Sequence, residues 1–213
     1  MYDLILFDLD GTLTNPEEGI TKSVKYALEK YGIYENDIDN LRRFIGPPLV
    51  DGFMEFYGMS NEDALGALAR YRERFSDIGI FENELLDGAK NLLKNLKKEG
   101  KRLALATSKP HIYARKILEY FDILNYFDIL VGAELDGTRN DKADVIKEVL
   151  KQAGEYKNPV MVGDRKHDVI GAKKNNIGCI GVTFGFAKEG EFEENGATLI
   201  AEDMDNLLKI LLT

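Results

Sequence analysis

Aspartates lie just after two short apolar runs in this sequence, and aspartate can serve as a nucleophile, a general acid or base, or a metal ligand. Leu4–Phe7 is followed by Asp8-Leu-Asp10-Gly-Thr-Leu-Thr, and the run 159–162 is followed by Gly-Asp164-Arg-Lys-His-Asp168. If both runs are strands of one sheet, we expect these four carboxylates to converge. Such carboxylates raise one another's pKa, and a bound divalent cation relieves their repulsion. Ligation by oxygen atoms alone favours Mg²⁺.

Two hydroxyl residues and a lysine also lie at a predicted strand end or at a predicted helix start. Thr107 and Ser108 come directly after the apolar run 103–106, and Lys142 precedes a helical stretch. Taken singly, each of these residues has an ordinary structural explanation: a helix cap for the hydroxyl residues and for Asp164, and a solvated surface position for Lys142. Their occurrence together, in order and each at a strand end or helix start, favours a functional site.

The surrounding elements predict a sheet that brings these residues together. Apolar runs typical of buried parallel strands occur at 4–7, 103–106, 159–162 and 179–184, with weaker candidates at 129–131 and 198–200. Stretches with helical spacing of apolar residues alternate with these runs. This alternation predicts an α/β fold with a doubly wound parallel sheet, in which ligands bind at the carboxyl ends of the strands.

One long stretch interrupts the alternation. Residues 15–81 contain no convincing strand, and their apolar residues recur at helical spacing. We therefore expect a helical bundle inserted after the first strand. The predicted domains are a core of residues 1–14 and 82–213 and an inserted domain of residues 15–81.

Composition excludes several classes of protein. The 213 residues carry a net charge of −9, whereas a general binder of nucleic acid or of an anionic membrane needs a basic surface. The single cysteine, Cys179, excludes an internal disulfide framework. The N-terminus has neither the basic region nor the long apolar run of a targeting signal. We therefore expect a cytoplasmic protein.

The motifs described above resemble those of the haloacid dehalogenase superfamily, and they occur in that family's order. The specific match is the run from Asp8 to Thr14, and the helical insertion resembles one type of the family's cap domain. The resemblance implies a Rossmann-like core with an all-helical cap that closes over the site and excludes water. Within the family, the chain most resembles the phosphoglycolate phosphatase-like branch. The stretch 42–49 resembles a branch with members described as nucleotide 5′-phosphatases.

The resemblance also implies catalytic roles. Asp8 is the expected nucleophile, which forms an aspartyl-phosphate, and Asp10 is the expected general acid and base. Asp8, the backbone carbonyl of Asp10 and Asp164 are the expected ligands of Mg²⁺. Asp168 completes the acidic cluster, either as a ligand or by orienting a metal-bound water.

The same resemblance assigns the binding of substrate. The Thr107 hydroxyl and the Ser108 backbone N–H are expected to hold phosphate oxygens near a helix N-terminus, and Lys142 supplies a fixed positive charge to Asp8 and to the phosphoryl group. In the cap, Arg43, Gly46 and Pro47 are candidates for substrate specificity.

These assignments predict a Mg²⁺-dependent phosphatase for a small phosphorylated metabolite such as phosphoglycolate, and a nucleoside 5′-monophosphate is the alternative substrate. A phosphomutase and a non-catalytic phosphate sensor are further alternatives. Dehalogenases of the superfamily lack an aspartate at the position of Asp10, so its presence favours phosphoryl transfer. We expect no nucleic-acid or membrane partner, and a monomer or weak homodimer.

Overall fold

A computed structural model describes all residues from 1 to 213. The chain divides into two compact units, one formed by Met1–Asn15 with Leu85–Thr213 and the other by Pro16–Glu84. Two short strands, β2 (Thr14–Asn15) and β3 (Glu84–Leu85), form a two-stranded sheet where the chain leaves the first unit and returns to it. No helix is both long enough and apolar enough to cross a membrane.

The first unit is built on a six-stranded sheet in the order β5-β4-β1-β6-β7-β8. Every pair of neighbouring strands is parallel. This sheet confirms the predicted doubly wound α/β architecture. Its strands are β1 (Leu4–Phe7), β4 (Arg102–Pro110), β5 (Ile129–Ala133), β6 (Pro159–Gly163), β7 (Gly178–Val182) and β8 (Leu199–Ala201).

Helices cover both faces of this sheet, since all four residues of β1 are fully buried. On one face, Leu4 and Leu6 pack in a cluster with Val145 and Val169. Removing this apolar surface from water is the main stabilising contribution to the core. The helices of this unit are α5 (Ala89–Lys98), α6 (His111–Tyr120), α7 (Lys142–Ala153), α8 (Lys166–Lys174), α9 (Glu191–Asn195) and α10 (Met204–Leu212).

The second unit is helical, as the apolar spacing predicted. In this unit two buried phenylalanines, Phe44 and Phe53, pack together with ring centroids 4.9 Å apart. Arg74 donates hydrogen bonds to both carboxylate oxygens of Glu82. The elements of this unit are α1 (Glu17–Glu29), α2 (Ile38–Arg42), α3 (Leu49–Tyr57), α4 (Asn61–Arg74) and a π-helical turn, Phe75–Gly79.

The structure places some element ends differently from the sequence pattern. Strand β7 ends at Val182 rather than at 184, and β4 continues to Pro110, beyond the apolar run that ends at 106. The pairing of β4 with β5 is irregular between Ala106 and Pro110. This extension could not be predicted from the apolar pattern, because the residues after Ala106 are polar although the backbone remains extended.

Candidate active site

The site lies at the carboxyl end of β1, the third strand from one edge of the sheet. Phe7, the last residue of β1, pairs with Leu105 of β4 on one side and with Val162 of β6 on the other. The backbone N–H of Asp8 donates to the Val162 carbonyl over 2.9 Å. This hydrogen bond extends the ladder by one residue and fixes Asp8 between the two neighbouring strands.

Three carboxylates meet at this point. One oxygen from each of Asp8, Asp164 and Asp168 lies within 4.8 Å of the others, and all three residues are buried. Asp168 reaches the cluster across Gly163, where a Cβ atom would lie only 2.1 Å from the Asp168 carboxyl carbon. A side chain at position 163 would therefore displace Asp168.

The Asp10 side chain is not one of these three clustered carboxylates and pairs with a lysine instead. Its Oδ2 accepts a hydrogen bond from the Lys109 ammonium over 2.5 Å. The turn that carries Asp10 is rigid, because the Leu9 carbonyl accepts from three backbone N–H groups, those of Thr12, Leu13 and Thr14. Burial raises the pKa of Asp10, and the charge of Lys109 opposes that rise.

Lys142 joins two of the clustered carboxylates. Its ammonium nitrogen lies 2.8 Å from Asp8 Oδ1 and 2.9 Å from Asp168 Oδ1, and it donates to the Ala106 carbonyl over 3.1 Å. Lys142 is the first residue of α7, whose N-terminus is capped by the Asp141 carboxylate through the Ala143 N–H. Burial lowers the pKa of Lys142, but the charges of Asp168 and Asp8 outweigh burial and raise it. The lysine is therefore charged at neutral pH.

One lysine does not neutralise three buried carboxylates. Burial, followed by the charges of Asp168 and Asp8, raises the pKa of Asp164 well above its usual value. Burial also raises the pKa of Asp168 to about 6, although Lys142 opposes the rise. The cluster therefore has an excess of negative charge that a cation would compensate.

The polar atoms of the cluster fit a metal ion. Asp164 Oδ1 is buried without any hydrogen-bond partner, while Asp164 Oδ2 accepts from the Phe186 N–H over 2.8 Å. A buried, unpartnered carboxylate oxygen is costly unless a ligand satisfies it. Together with the neighbouring oxygens of Asp8 and Asp168, it forms an all-oxygen group that could hold a metal ion.

Two of the predicted phosphate-binding residues, Thr107 and Ser108, lie in β4, the strand next to β1. Thr107 is buried in β4, one residue beyond Ala106, and its hydroxyl accepts from the Lys109 backbone N–H over 3.2 Å. Ser108 is partly exposed. Helix α6 begins only at His111, so neither Thr107 nor Ser108 is at the N-terminus of a helix. Both residues lie in the part of β4 that leads into this helix, three and four residues before its start.

The cap candidates lie in the helical unit. Arg43 is exposed, and its guanidinium stacks 3.8 Å from the centroid of the Phe56 ring. Its neighbour Arg42 instead forms ion pairs with Glu17 and Asp39. Beyond Arg43, the candidate Gly46 is exposed with a φ of 104°, and the candidate Pro47 is partly exposed.

Two residues at the site were missed by sequence reasoning. The sequence does contain a signal for Lys109, because this cation directly follows the hydroxyl residues Thr107 and Ser108. The sequence does not indicate which carboxylate pairs with it. Glu191 contacts the turn between Asp164 and Asp168, yet it lies in an acid-rich helix far along the chain, and no local pattern distinguishes it.

The fold and the site together define an α/β enzyme with a buried carboxylate–lysine centre at the carboxyl ends of its strands. The chain belongs to the haloacid dehalogenase-like hydrolase family, whose model matches residues 5–182.

Relatives match over nearly the whole chain. A 5′-nucleotidase of Pseudomonas aeruginosa is 44% identical over 99% of this chain and 96% of its own length. The tyrosine-protein kinase PtkA of Mycobacterium tuberculosis is 37% identical over 98% of this chain and 72% of its own length. The crystal structure of a predicted phosphatase from Clostridium acetobutylicum has a TM-score of 0.95 and 46% identity, and covers 100% of this chain and 99% of that chain. These findings confirm the predicted family and fold, and with them an enzyme of the phosphatase type.

Proposed function

We propose that this chain is a Mg²⁺-dependent phosphomonoester hydrolase that acts through an aspartyl-phosphate on Asp8. The observation that supports the proposal best is the position of the Asp8 carboxylate, held against a buried Lys142 and beside two further carboxylates. A carboxylate so placed can attack a phosphoryl group, and the ammonium of Lys142 offsets part of the negative charge that the two bring together.

Asp8, Asp164 and the backbone carbonyl of Asp10 would hold the Mg²⁺ ion, with Asp168 as a ligand or as a partner of a bound water. The ion, when bound, supplies charge that screens the repulsion between carboxylate and phosphate and stabilises the transferring phosphoryl group. The unpartnered oxygen of Asp164 supports this assignment. A ligand role for Asp168 agrees with its ion pair to Lys142, since each of its oxygens can accept more than one interaction.

The covalent chemistry involves Asp8 and Asp10. An Asp8 carboxylate oxygen bonds to phosphorus while the ester P–O bond breaks, and protonated Asp10 gives its proton to the departing alkoxide oxygen. A water then attacks phosphorus and loses a proton to Asp10, while the bond between Asp8 and phosphorus breaks and inorganic phosphate leaves. Burial favours the protonated form of Asp10 that the first step requires.

Three groups would bind the phosphoryl oxygens. The Thr107 hydroxyl and the Ser108 N–H lie in the second half of β4, the strand next to β1, and both can donate hydrogen bonds. Lys142, already beside Asp8, would contact both the nucleophile and the phosphoryl oxygens with its positive charge. Because Lys142 is held by three partners, this charge is in place before substrate binds.

Nucleoside 5′-monophosphates are the first substrates to test, since the relative named 5′-nucleotidase matches almost end to end. Phosphoglycolate is the alternative. Arg43, Gly46 and Pro47 remain the proposed specificity residues, and among the two adjacent arginines Arg43 is the better candidate, because Arg42 is already paired with carboxylates.

Release of phosphate from a panel of monoesters with Mg²⁺ tests the proposal, with Asp8→Asn in parallel. The panel contains nucleoside monophosphates, phosphoglycolate, sugar phosphates and p-nitrophenyl phosphate. We expect turnover in the wild-type chain and none in the variant.

Accumulation of a sugar bisphosphate without phosphate release would instead indicate a mutase. Transfer of phosphate from ATP to protein tyrosine would indicate the activity named for the kinase relative, and phosphate binding without any turnover would indicate a sensor.

A further inference from the structure

Glu191 is a buried acid outside the proposed catalytic set. It is the first residue of α9, yet only 6% of its surface is exposed. Glutamate is seldom buried unless its charge is paired. Its neighbours in the same short helix, Glu193 and Glu194, are exposed in the ordinary way.

The Glu191 carboxylate is bound to the turn that joins Asp164 to Asp168. Its Oε1 accepts hydrogen bonds from the Lys166 backbone N–H over 2.6 Å and from Arg165 Nε over 3.0 Å. Burial would raise the pKa of Glu191, but these contacts and the charge of Arg165 lower it, so the side chain is ionised. Such charge-assisted hydrogen bonds are short and strong.

That turn sets the positions of both clustered aspartates. The Arg165 N–H donates to Asp168 Oδ2 over 3.1 Å, so the residue that Glu191 holds is the one that orients the Asp168 carboxylate. On the other side, Asp164 is the residue immediately before Arg165. A shift of Arg165 would therefore change the spacing of the two carboxylates.

The loop 183–190, which leads into α9, contacts Asp164 directly. Its Phe186 N–H donates to Asp164 Oδ2 over 2.8 Å, and a Cβ atom at Gly185 would lie 2.4 Å from the Asp164 Cβ. Glu191 Oε2 accepts from the Lys188 N–H over 3.2 Å, which ties this loop to the same carboxylate. The Glu191 side chain thus binds both the turn that follows Asp164 and the loop 183–190 that contacts it.

We infer that Glu191 is a positioning residue that holds Asp164 and Asp168 at the spacing that binds Mg²⁺. The inference rests on the proposed metal site. Glu191 itself is not a ligand, because it does not belong to the group of clustered oxygens and both its oxygens accept hydrogen bonds from protein. Residues that orient metal ligands in this way typically contribute about 10- to 100-fold in metal affinity.

Calorimetric titration of the full chain with Mg²⁺ tests this inference on the wild type, Glu191→Leu and Glu191→Gln. Glu193→Leu is the matched control, since it makes the same change at an exposed position of the same helix. We expect the Mg²⁺ Kd to rise about 10- to 100-fold in Glu191→Leu, by less in Glu191→Gln, and not at all in the control. Turnover of p-nitrophenyl phosphate should recover to the wild-type kcat at saturating Mg²⁺, because Glu191 touches neither nucleophile nor substrate.

A wild-type Kd in both Glu191 variants would overturn the inference and leave the proposed function intact. A wild-type chain that binds no Mg²⁺ would overturn the proposed metal site and this inference together. If Glu191→Leu fails to fold, Glu191→Gln decides the question, because the amide keeps the volume and one acceptor for the Lys166 N–H, and loses the charge toward Arg165 and the second acceptor, which binds the Lys188 N–H. A purely structural role would lower the thermal midpoint without changing the Mg²⁺ Kd.

Discussion

The ammonium of Lys109 donates a hydrogen bond to Asp10 Oδ2 over 2.5 Å, with 5% of the lysine side chain and 14% of the aspartate side chain exposed. The pair fixes the carboxylate proposed as general acid and base in one orientation. It also neutralises a carboxylate charge that would otherwise be buried without a counter-charge. Lys109 is therefore as much a part of the site as the residues of the acidic motif.

Replacing Lys109 by Met should destabilise the fold by about 3 kcal/mol at neutral pH, because it leaves the Asp10 carboxylate buried without a counter-charge. Denaturant unfolding measures the effect. The double variant Lys109→Met/Asp10→Asn should recover most of the loss, since the unpaired charge is gone. Equal destabilisation in the single and double variants would mean that the lysine acts through packing rather than through charge.

Replacing Asp10 by Asn should slow turnover by about 10² to 10⁴-fold, the usual contribution of a general acid and base. With p-nitrophenyl phosphate, whose leaving group needs little protonation, the first step should survive better than the second. Intact-protein mass spectrometry should then detect one added phosphoryl group on the variant during turnover. The double variant Asp8→Asn/Asp10→Asn serves as the control and should show no adduct.

Mg²⁺ should stabilise the folded chain, because the cation relieves repulsion among Asp8, Asp164 and Asp168. At a concentration of 100 times its Kd, a ligand specific to the folded state adds about 2.7 kcal/mol. Thermal unfolding with Mg²⁺ and with EDTA measures this difference. Asp164→Asn should abolish it, whereas Asp205→Asn, at an exposed position of α10, should keep it. Equal midpoints with and without Mg²⁺ in the wild type would contradict the proposed metal site.

The helical unit should lose stability in acid through Glu82. The hydrogen bonds from Arg74 lower the pKa of Glu82 below its usual value of 4.5, although burial opposes them. A lowered pKa in the folded state means that this stabilisation is complete above pH 4.5 and is lost as the pH falls below it. Glu82→Gln should therefore cost about 2 kcal/mol at pH 7.

The difference in stability between Glu82→Gln and the wild type should become smaller as the pH falls below 4.5, because the wild-type carboxylate then also becomes neutral. Thermal midpoints at pH 7 and at pH 3.5 to 4 measure this dependence. Glu55→Gln, at an exposed position of α3, is the control and should follow the wild type at both pH values. A difference that stays constant with pH would contradict a contribution from the ion pair.

The class of fold, the family and the residues of the acidic motif could be predicted from the sequence alone. Asp8, Asp164 and Thr107 could be recognised because each follows an apolar run, and parallel strands bring their carboxyl ends to one edge of a sheet. The helical nature of the insertion was equally clear from the spacing of its apolar residues. These features depend on local patterns of a few residues, which periodicity reports directly.

The pairing of those residues could not be predicted and is seen only in the folded chain. Asp10 meets Lys109 across 99 positions of the chain, Lys142 joins Asp8 to Asp168, and Glu191 holds the turn beside Asp164. No periodic pattern encodes such contacts, because each depends on the registry of two elements that are far apart in sequence. The charged residues of the site could thus be predicted from the sequence. Their ion pairs and their pKa values depend on burial and on partners that only the folded chain brings together.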